Sequence, residues 1–128
     1  DEVLDFYAVQ LRAAGLPVSD IAAGEQPGLG RRVRFIVPTG HAIDLFASME
    51  RAENGPMIDN PDLWRTEPRG MRVIRFDHCL LYGDEIDATA AIFRDVLGFS
   101  LTEQVVTPGG EETIAIFLTC STKAHDLA

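Results

Sequence analysis

The sequence predicts an α+β chain built from two similar units, each a helix followed by short antiparallel strands. Two runs carry apolar residues at helical spacing, residues 2–14 and 84–97. Each is followed by short apolar runs separated by glycine and proline turns. Between the units lies a stretch without either period. The two halves share this layout, which suggests internal repetition, although their residues differ too much to align on sight.

In "DEVLDFYAVQLRAAGLPV", Val3, Leu4, Tyr7, Leu11 and Ala14 fall on i, i+4, i+7 spacing, and Gly15 with Pro17 ends the helix. "GEQPGLGRR" reads as a turn-rich loop. "RRVRFIVPTG" alternates Val33, Phe35 and Val37 with Arg32 and Arg34, a half-exposed strand that turns at Pro38 to Gly40. "HAIDLFASME" is the returning strand. Residues 51–71 hold three prolines and break every periodicity, so they read as a linker with Trp64 as its packing anchor. A strand is expected over residues 72–82. The next helix is capped by Asp84, presents Ile86, Ala90, Phe93 and Val96 or Leu97 on one face, and stops at Gly98. "FSLTEQVV" and "ETIAIFLTC" form a hairpin across Pro108, Gly109 and Gly110. "TKAHDLA" opens a further apolar run and breaks off in mid-pattern, so the chain reads as a piece of something longer.

At 128 residues the chain has the length of one domain, enough to bury roughly two-thirds of its unfolded surface. Twenty Asp and Glu against 11 Lys and Arg give a formal charge of −9. The basic residues form no stripe, which argues against nucleic acid and against anionic membrane surfaces as partners. No apolar run approaches the roughly 18 residues of a spanning helix, and nothing resembles a signal peptide. Cys79 and Cys120 lie singly inside apolar runs, the pattern of buried free thiols in a reducing cytoplasm, with a disulfide or a thiolate metal site as the alternatives.

Chemistry-bearing residues are few. His78 is one of three histidines. Counting by twos puts it on the face of Ile74, Phe76, Leu80 and Tyr82, opposite Asp77, Cys79 and Leu81. A neutral imidazole among apolar neighbours needs a hydrogen-bond partner or a metal. Taken alone, the satisfied core histidine is the commoner case. His125, beside Asp126, reads as a polar residue at a strand start, and His41 as an exposed turn histidine. "GLG" at 28–30 lacks the strand-to-helix setting of a dinucleotide loop. Glu111 and Glu112 sit in a solvated turn.

The spans "RGMRVIRFDHCLLYGDEIDATAAIFRDVLGFSLTEQVV" and "AIFLTCSTKAHDLA" resemble the catechol 2,3-dioxygenases, type I extradiol enzymes of the vicinal oxygen chelate superfamily. "GRRVRFIVPTGHAIDLFA" is similar to the end of that family's N-terminal domain. The resemblance implies a fold of βαβββ modules, here two incomplete ones. Residues 1–50 would close the N-terminal extradiol domain, 51–71 would be the linker, and 72–128 would begin the C-terminal catalytic domain. It implies Fe(2+) held on a 2-His-1-carboxylate face, with His78 of "FDHC" as the first metal ligand. His125 of "KAHD" matches a catalytic acid-base histidine that also contacts substrate, and Leu80 and Phe117 match substrate-lining positions. The implied reaction is meta cleavage of catechol by O2 to 2-hydroxymuconic semialdehyde, in a cytoplasmic homo-oligomer, a tetramer.

Two departures accompany it. The family's second histidine ligand and its glutamate belong to later strands than this chain carries. Gly40 and Asp44 repeat the turn-then-acid spacing in the N-terminal domain, but the matching first-strand histidine is absent, so no metal is expected at Asp44. The alternatives are a metal-free small-molecule binding module or a glyoxalase-like isomerase of the same fold. The proton-shuttling histidine speaks against the first.

Overall fold

Helix α1 spans Glu2–Ala13 because a stripe of Leu4, Ala8 and Leu11 repeats at helical spacing and is buried. Acidic Glu2 and Asp5 occupy its first turn and Arg12 its last, each favourable to the helix dipole. Its end is a Schellman turn: Gly15 sits at φ +80°, its N–H donates to the Arg12 carbonyl at 3.0 Å, and the Leu16 N–H donates to that of Leu11 at 3.1 Å. The expected face shifts by one position. Val3 is 59% exposed, since it lies about 100° around the helix from Leu4, and Ala8 completes the stripe instead.

The computed structural model describes residues 1–50 and 76–128. The expected linker, Trp64 and the start of the expected 72–82 strand lie outside these residues.

Three antiparallel strands follow α1 in the order β1 (Val18–Ile21), β2 (Arg32–Ile36) and β3 (Ala42–Phe46). Strand β1 was not expected, because four residues are too short for alternation to be legible. Its partner defines it, pairing Val18 with Phe35 and Asp20 with Val33. The centre of this unit is β2, whose Val33 and Phe35 are fully buried, as expected for the apolar positions of that run. Its other face departs from the half-exposed strand expected. Arg32 is buried there, with its Nη1 donating to Asp44 at 2.8 Å and to the Gln26 amide oxygen at 3.1 Å.

In the second half, α2 (Ile86–Ala91) runs into a π-helical turn, Ile92–Val96, that presents Ala90 and Phe93 to the core. Gly98, at φ +76°, ends it as anticipated. Asp84 is not the cap: the residue before the helix is Glu85, at a left-handed φ of 58°, and it makes no side-chain cap bond. Gly83 and Asp84 form a bend instead, close against Thr39: a Cβ on Gly83 would come within 3.2 Å of the Thr39 carbonyl oxygen. The hairpin β4 (Ser100–Val106) and β5 (Thr113–Thr119) is antiparallel, as expected, with both turn glycines at positive φ.

The expected 72–82 strand shrinks, among the described residues, to a short ladder around Cys79. Its partner is only residues 126–128: Leu127 bridges Leu118 antiparallel and Cys79 parallel. The spatial order β4, β5, 126–128, 79–81 results, with the helix crossing one face.

The two halves share one core. Leu4, Leu11, Val33 and Phe35 cluster with Phe93, Leu118 and Leu127. A polar joint accompanies it: the Thr39 N–H donates to Thr89 Oγ1 at 3.0 Å, and Thr89 is 5% exposed. Thr89→Val keeps the shape and orphans that N–H, so it is expected to cost about 1–2 kcal/mol. An unchanged urea midpoint would show the joint to be energetically idle. No helix among the described residues is long and apolar enough to cross a membrane.

Candidate functional site

His78 and His125 are far apart in sequence and adjacent in space because their neighbours pair. The Cys79 N–H donates to the Asp126 carbonyl at 3.0 Å, the Ala128 N–H to that of Cys79 at 2.9 Å, and the Leu81 N–H to that of Ala128 at 2.8 Å. This parallel register sets the two imidazole rings edge to face with centroids 4.6 Å apart. Phe117, on β5, packs edge to face on His125 at 5.1 Å. Three of the four site residues singled out in the sequence therefore converge.

Leu80 is placed differently. It is 65% exposed and lines a cleft of about 820 Å3 formed chiefly by Ile86, Thr89 and Phe93 against Ile114, Ile116 and Leu118. That cleft separates helix from sheet. The imidazole pair and Phe117 do not line it, so its size does not make it the chemical site.

The expected disposition of Asp77 on the opposite face from His78 is corrected. Residues 76–78 have no regular strand geometry, so parity does not apply, and Asp77 Oδ2 lies 2.9 Å from His78 Nδ1. A carboxylate on Nδ1 leaves Nε2 as the nitrogen able to face a metal and fixes the ring's orientation. The His78 side chain is 40% exposed, and Phe76 and Tyr82 beside it are more so. The face expected to be inward is therefore open among the described residues, and Leu81 is the member of this segment that packs on the core.

His125 stands at the end of a loop organised by Asp126. The Asp126 carboxylate accepts from Thr119 Oγ1 at 2.9 Å, the Cys120 N–H at 3.0 Å, Ser121 Oγ at 3.0 Å and Lys123 Nζ at 2.7 Å. The Lys123 ammonium, followed by these other donors and opposed by some desolvation, holds the Asp126 carboxyl far below the usual carboxylate range. Lys123 Nζ also donates to the Asp77 carbonyl. This clamp was missed in the sequence. Its one signal is the donor-rich "TCSTK" ahead of an Asp, a composition that favours side-chain-to-backbone loops.

The cysteines are free but not buried: Cys79 and Cys120 are both exposed. Among the described residues Cys79 lies on the edge of the short ladder, and Cys120 leaves β5 into the Asp126 loop, where partial desolvation and the nearby carboxylate push its thiol pKa up. His41, expected in an exposed turn, is half-buried, with Nδ1 3.0 Å from Thr39 Oγ1. Asp44 accepts two bonds from Arg34, at 2.7 and 2.9 Å, besides that from Arg32. Its oxygens are thus committed to guanidinium groups. Among the described residues no group of three His, Cys, Asp or Glu side chains is placed to hold a metal ion.

Comparison with known proteins places these features. Residues 1–50 match the catechol 2,3-dioxygenase-like N-terminal domain, and residues 75–128 match the Glyoxalase/Bleomycin resistance protein/Dioxygenase superfamily. Residues 75–128 therefore carry a domain of that superfamily. The metapyrocatechase of Pseudomonas sp. (strain CF600) is 50% identical over the whole chain, which spans 42% of that protein. The manganese-dependent 2,3-dihydroxybiphenyl 1,2-dioxygenase of Geobacillus genomosp. 3 is 26% identical over 81% of the chain and 34% of its own length. The crystal structure of the 2,3-dioxygenase LapB from Pseudomonas sp. KL28 superposes with a TM-score of 0.81 at 37% identity, covering 99% of this chain and 44% of that one. The superfamily's α+β architecture is the one described above. The chain spans less than half the length of each of these relatives.

Proposed function

We propose that this chain is the central segment of an extradiol dioxygenase that cleaves catechol beside its diol. Residues 1–50 form the end of its N-terminal domain, 51–71 the linker, and 72–128 the start of its catalytic domain. Both atoms of O2 enter the product, 2-hydroxymuconic semialdehyde, so catechol and O2 are consumed in equal amounts with nothing else released. The observation that carries this reading is the His78–His125 pair at 4.6 Å, with His78 Nδ1 engaged by Asp77.

The residues fit a metal in part. His78 offers Nε2 as one donor, oriented by Asp77, and the remaining donors of a 2-His-1-carboxylate face lie outside this chain. The proposed ion is iron(II). When bound, it supplies the electron transfer that lets a spin-paired aromatic react with triplet O2. The chain's own residues do the rest. His125, an imidazole within ring contact of His78, takes the catechol hydroxyl proton and returns it later in the cycle, a role suited to a ring with one nitrogen free to accept a proton. Phe117 packs edge to face on His125 and would offer an apolar contact to the substrate ring. Leu80 stands as a second substrate-lining position by its resemblance to the family alone, since in this chain it lines the separate cleft between helix and sheet. The assembly proposed is a cytoplasmic homo-tetramer.

The test uses the full-length protein that carries this segment. Catechol is expected to drive equimolar O2 uptake and a yellow ring-fission product, with iron in the purified protein. Manganese in its place would assign the protein to the manganese-dependent type. Metal-free protein that binds catechol without O2 uptake would overturn the reading in favour of a binding module. The 128-residue chain alone, with added iron(II), is expected to form no yellow product, because it supplies one donor of the set.

A further inference from the structure

We propose that Lys123, anchored by Asp126, is a positioning residue that holds the two imidazoles of the proposed dioxygenase site in register. The inference rests on that reading of the site and adds to it a residue pair that touches neither metal nor substrate.

The geometry is a strap between two irregular segments. The short parallel ladder begins with Cys79 beside Asp126 and runs on to Leu81 and Ala128, so it leaves both histidines just ahead of its start, His78 before one strand and His125 before the other. Lys123 spans that gap. Its ammonium donates to the backbone carbonyl of Asp77, next to His78, and to Asp126 Oδ1 at 2.7 Å, next to His125. The Lys123 side chain is 30% exposed and that of Asp126 17% exposed, so the ion pair is partly shielded from water, where a charge-assisted bond is stronger than on an open surface. The Asp126 carboxylate is itself fixed by Thr119, Cys120 and Ser121. One end of the strap is therefore rigid, and the other sits on the chain segment that carries the first metal donor.

A lysine that only stabilised the loop would bind Asp126 alone. The second bond, to Asp77, crosses from the loop to the segment of His78 and gives the pair a reason to stay at one separation. Proton transfer is sensitive to misplacement on the ångström scale, where a shift of about 1 Å costs on the order of a hundredfold. Loss of the strap should thus appear in turnover, not in metal content or in substrate affinity.

In the metal-loaded full-length protein, Lys123→Met keeps the aliphatic stem and removes the donor. It is expected to lower kcat about tenfold or more with KM for catechol changed by less than about threefold and metal content retained. Lys123→Arg, whose longer fork still reaches two oxygen acceptors, is expected to recover much of that loss. Asp126→Asn is the second probe, keeping the loop's side-chain oxygen acceptor while removing the charge that anchors Lys123, and it serves alone if Lys123→Met does not fold. If both variants turn over like the parent per bound metal, with only a lower unfolding midpoint, the strap is structural and the proposal is wrong. His125→Phe runs in the same series. No catechol-dependent O2 uptake by the parent overturns the dioxygenase reading itself, whereas slow His125→Phe beside fast Lys123→Met overturns only the strap.

Discussion

If the proposed extradiol reading holds, His78→Ala is expected to abolish iron loading of the full-length protein and with it all catechol cleavage, whereas His125→Phe is expected to keep iron and lose turnover by roughly 10²- to 10⁴-fold. The two histidines share a ring contact at 4.6 Å, so proximity alone does not separate their roles. Their other partners do. His78 Nδ1 faces the Asp77 carboxylate at 2.9 Å, the arrangement that orients an imidazole for metal binding through its far nitrogen. His125 instead packs against the Phe117 ring at 5.1 Å, next to an apolar surface suited to an aromatic substrate. Phenylalanine at 125 preserves that packing while removing the proton acceptor. Metal analysis and steady-state kinetics on the two variants decide the matter, and equal iron loss in both would overturn the division of labour.

Asp44→Ala is expected to destabilise the 128-residue chain by about 2–4 kcal/mol, the range for removing one partner of a largely buried ion pair. The Arg32 side chain is 6% exposed. Its Nε already lacks a partner among the described residues, and without Asp44 its Nη1 keeps only Gln26 at 3.1 Å. Urea unfolding measures the loss, and a cost below about 0.5 kcal/mol, the scale of an ordinary surface change, would show that the guanidinium finds water instead. The pH dependence has a definite sign. The Arg34 hydrogen bonds, followed by the charges of both arginines and opposed by burial, hold the Asp44 carboxyl below its ordinary value. A carboxylate whose folded pKa is depressed stabilises the fold above its unfolded pKa of about 3.9, and that contribution fades as pH falls through the lower folded value. The stability gap between the parent and Asp44→Asn is therefore expected to be full at neutral pH and to close below about pH 4.

Much of the fold was legible because it is local. The stripe of Leu4 and Leu11, the Gly15 stop, the alternation of Val33 and Phe35, the Ala90–Phe93 face and the glycine turn between β4 and β5 each follow from one short window. What was misread depends on partners. Arg32 looked like the outward position of a half-exposed strand, yet it is buried because Asp44 on the neighbouring strand and Gln26 in the preceding loop supply its acceptors. Cys79 and Cys120 looked buried because apolar flanks are the only cue a window offers. A four-residue β1 left too little pattern to read, and among the described residues the strand expected across His78 is reduced to the short ladder of 79–81 on 126–128.

The site divides along the same line. The sequence by itself determined which residue types were on hand: two histidines, each beside an aspartate, in motifs that resemble one family, together with an acidic charge that disfavours nucleic acid. It also determined the helices and hairpin that carry them, since hydrophobic period and turn residues act within a few positions. Only the tertiary structure decided that the two imidazoles meet, that Asp77 turns toward His78, that Leu80 lies apart, and that Lys123 joins both segments. Each of these depends on the pairing of Cys79 with residues 126–128, a contact between distant parts of the chain. The register of such a pair is set by the shared core of Leu81, Leu118 and Leu127 and by the hydrogen bonds between the segments, terms that exist only once the chain has folded.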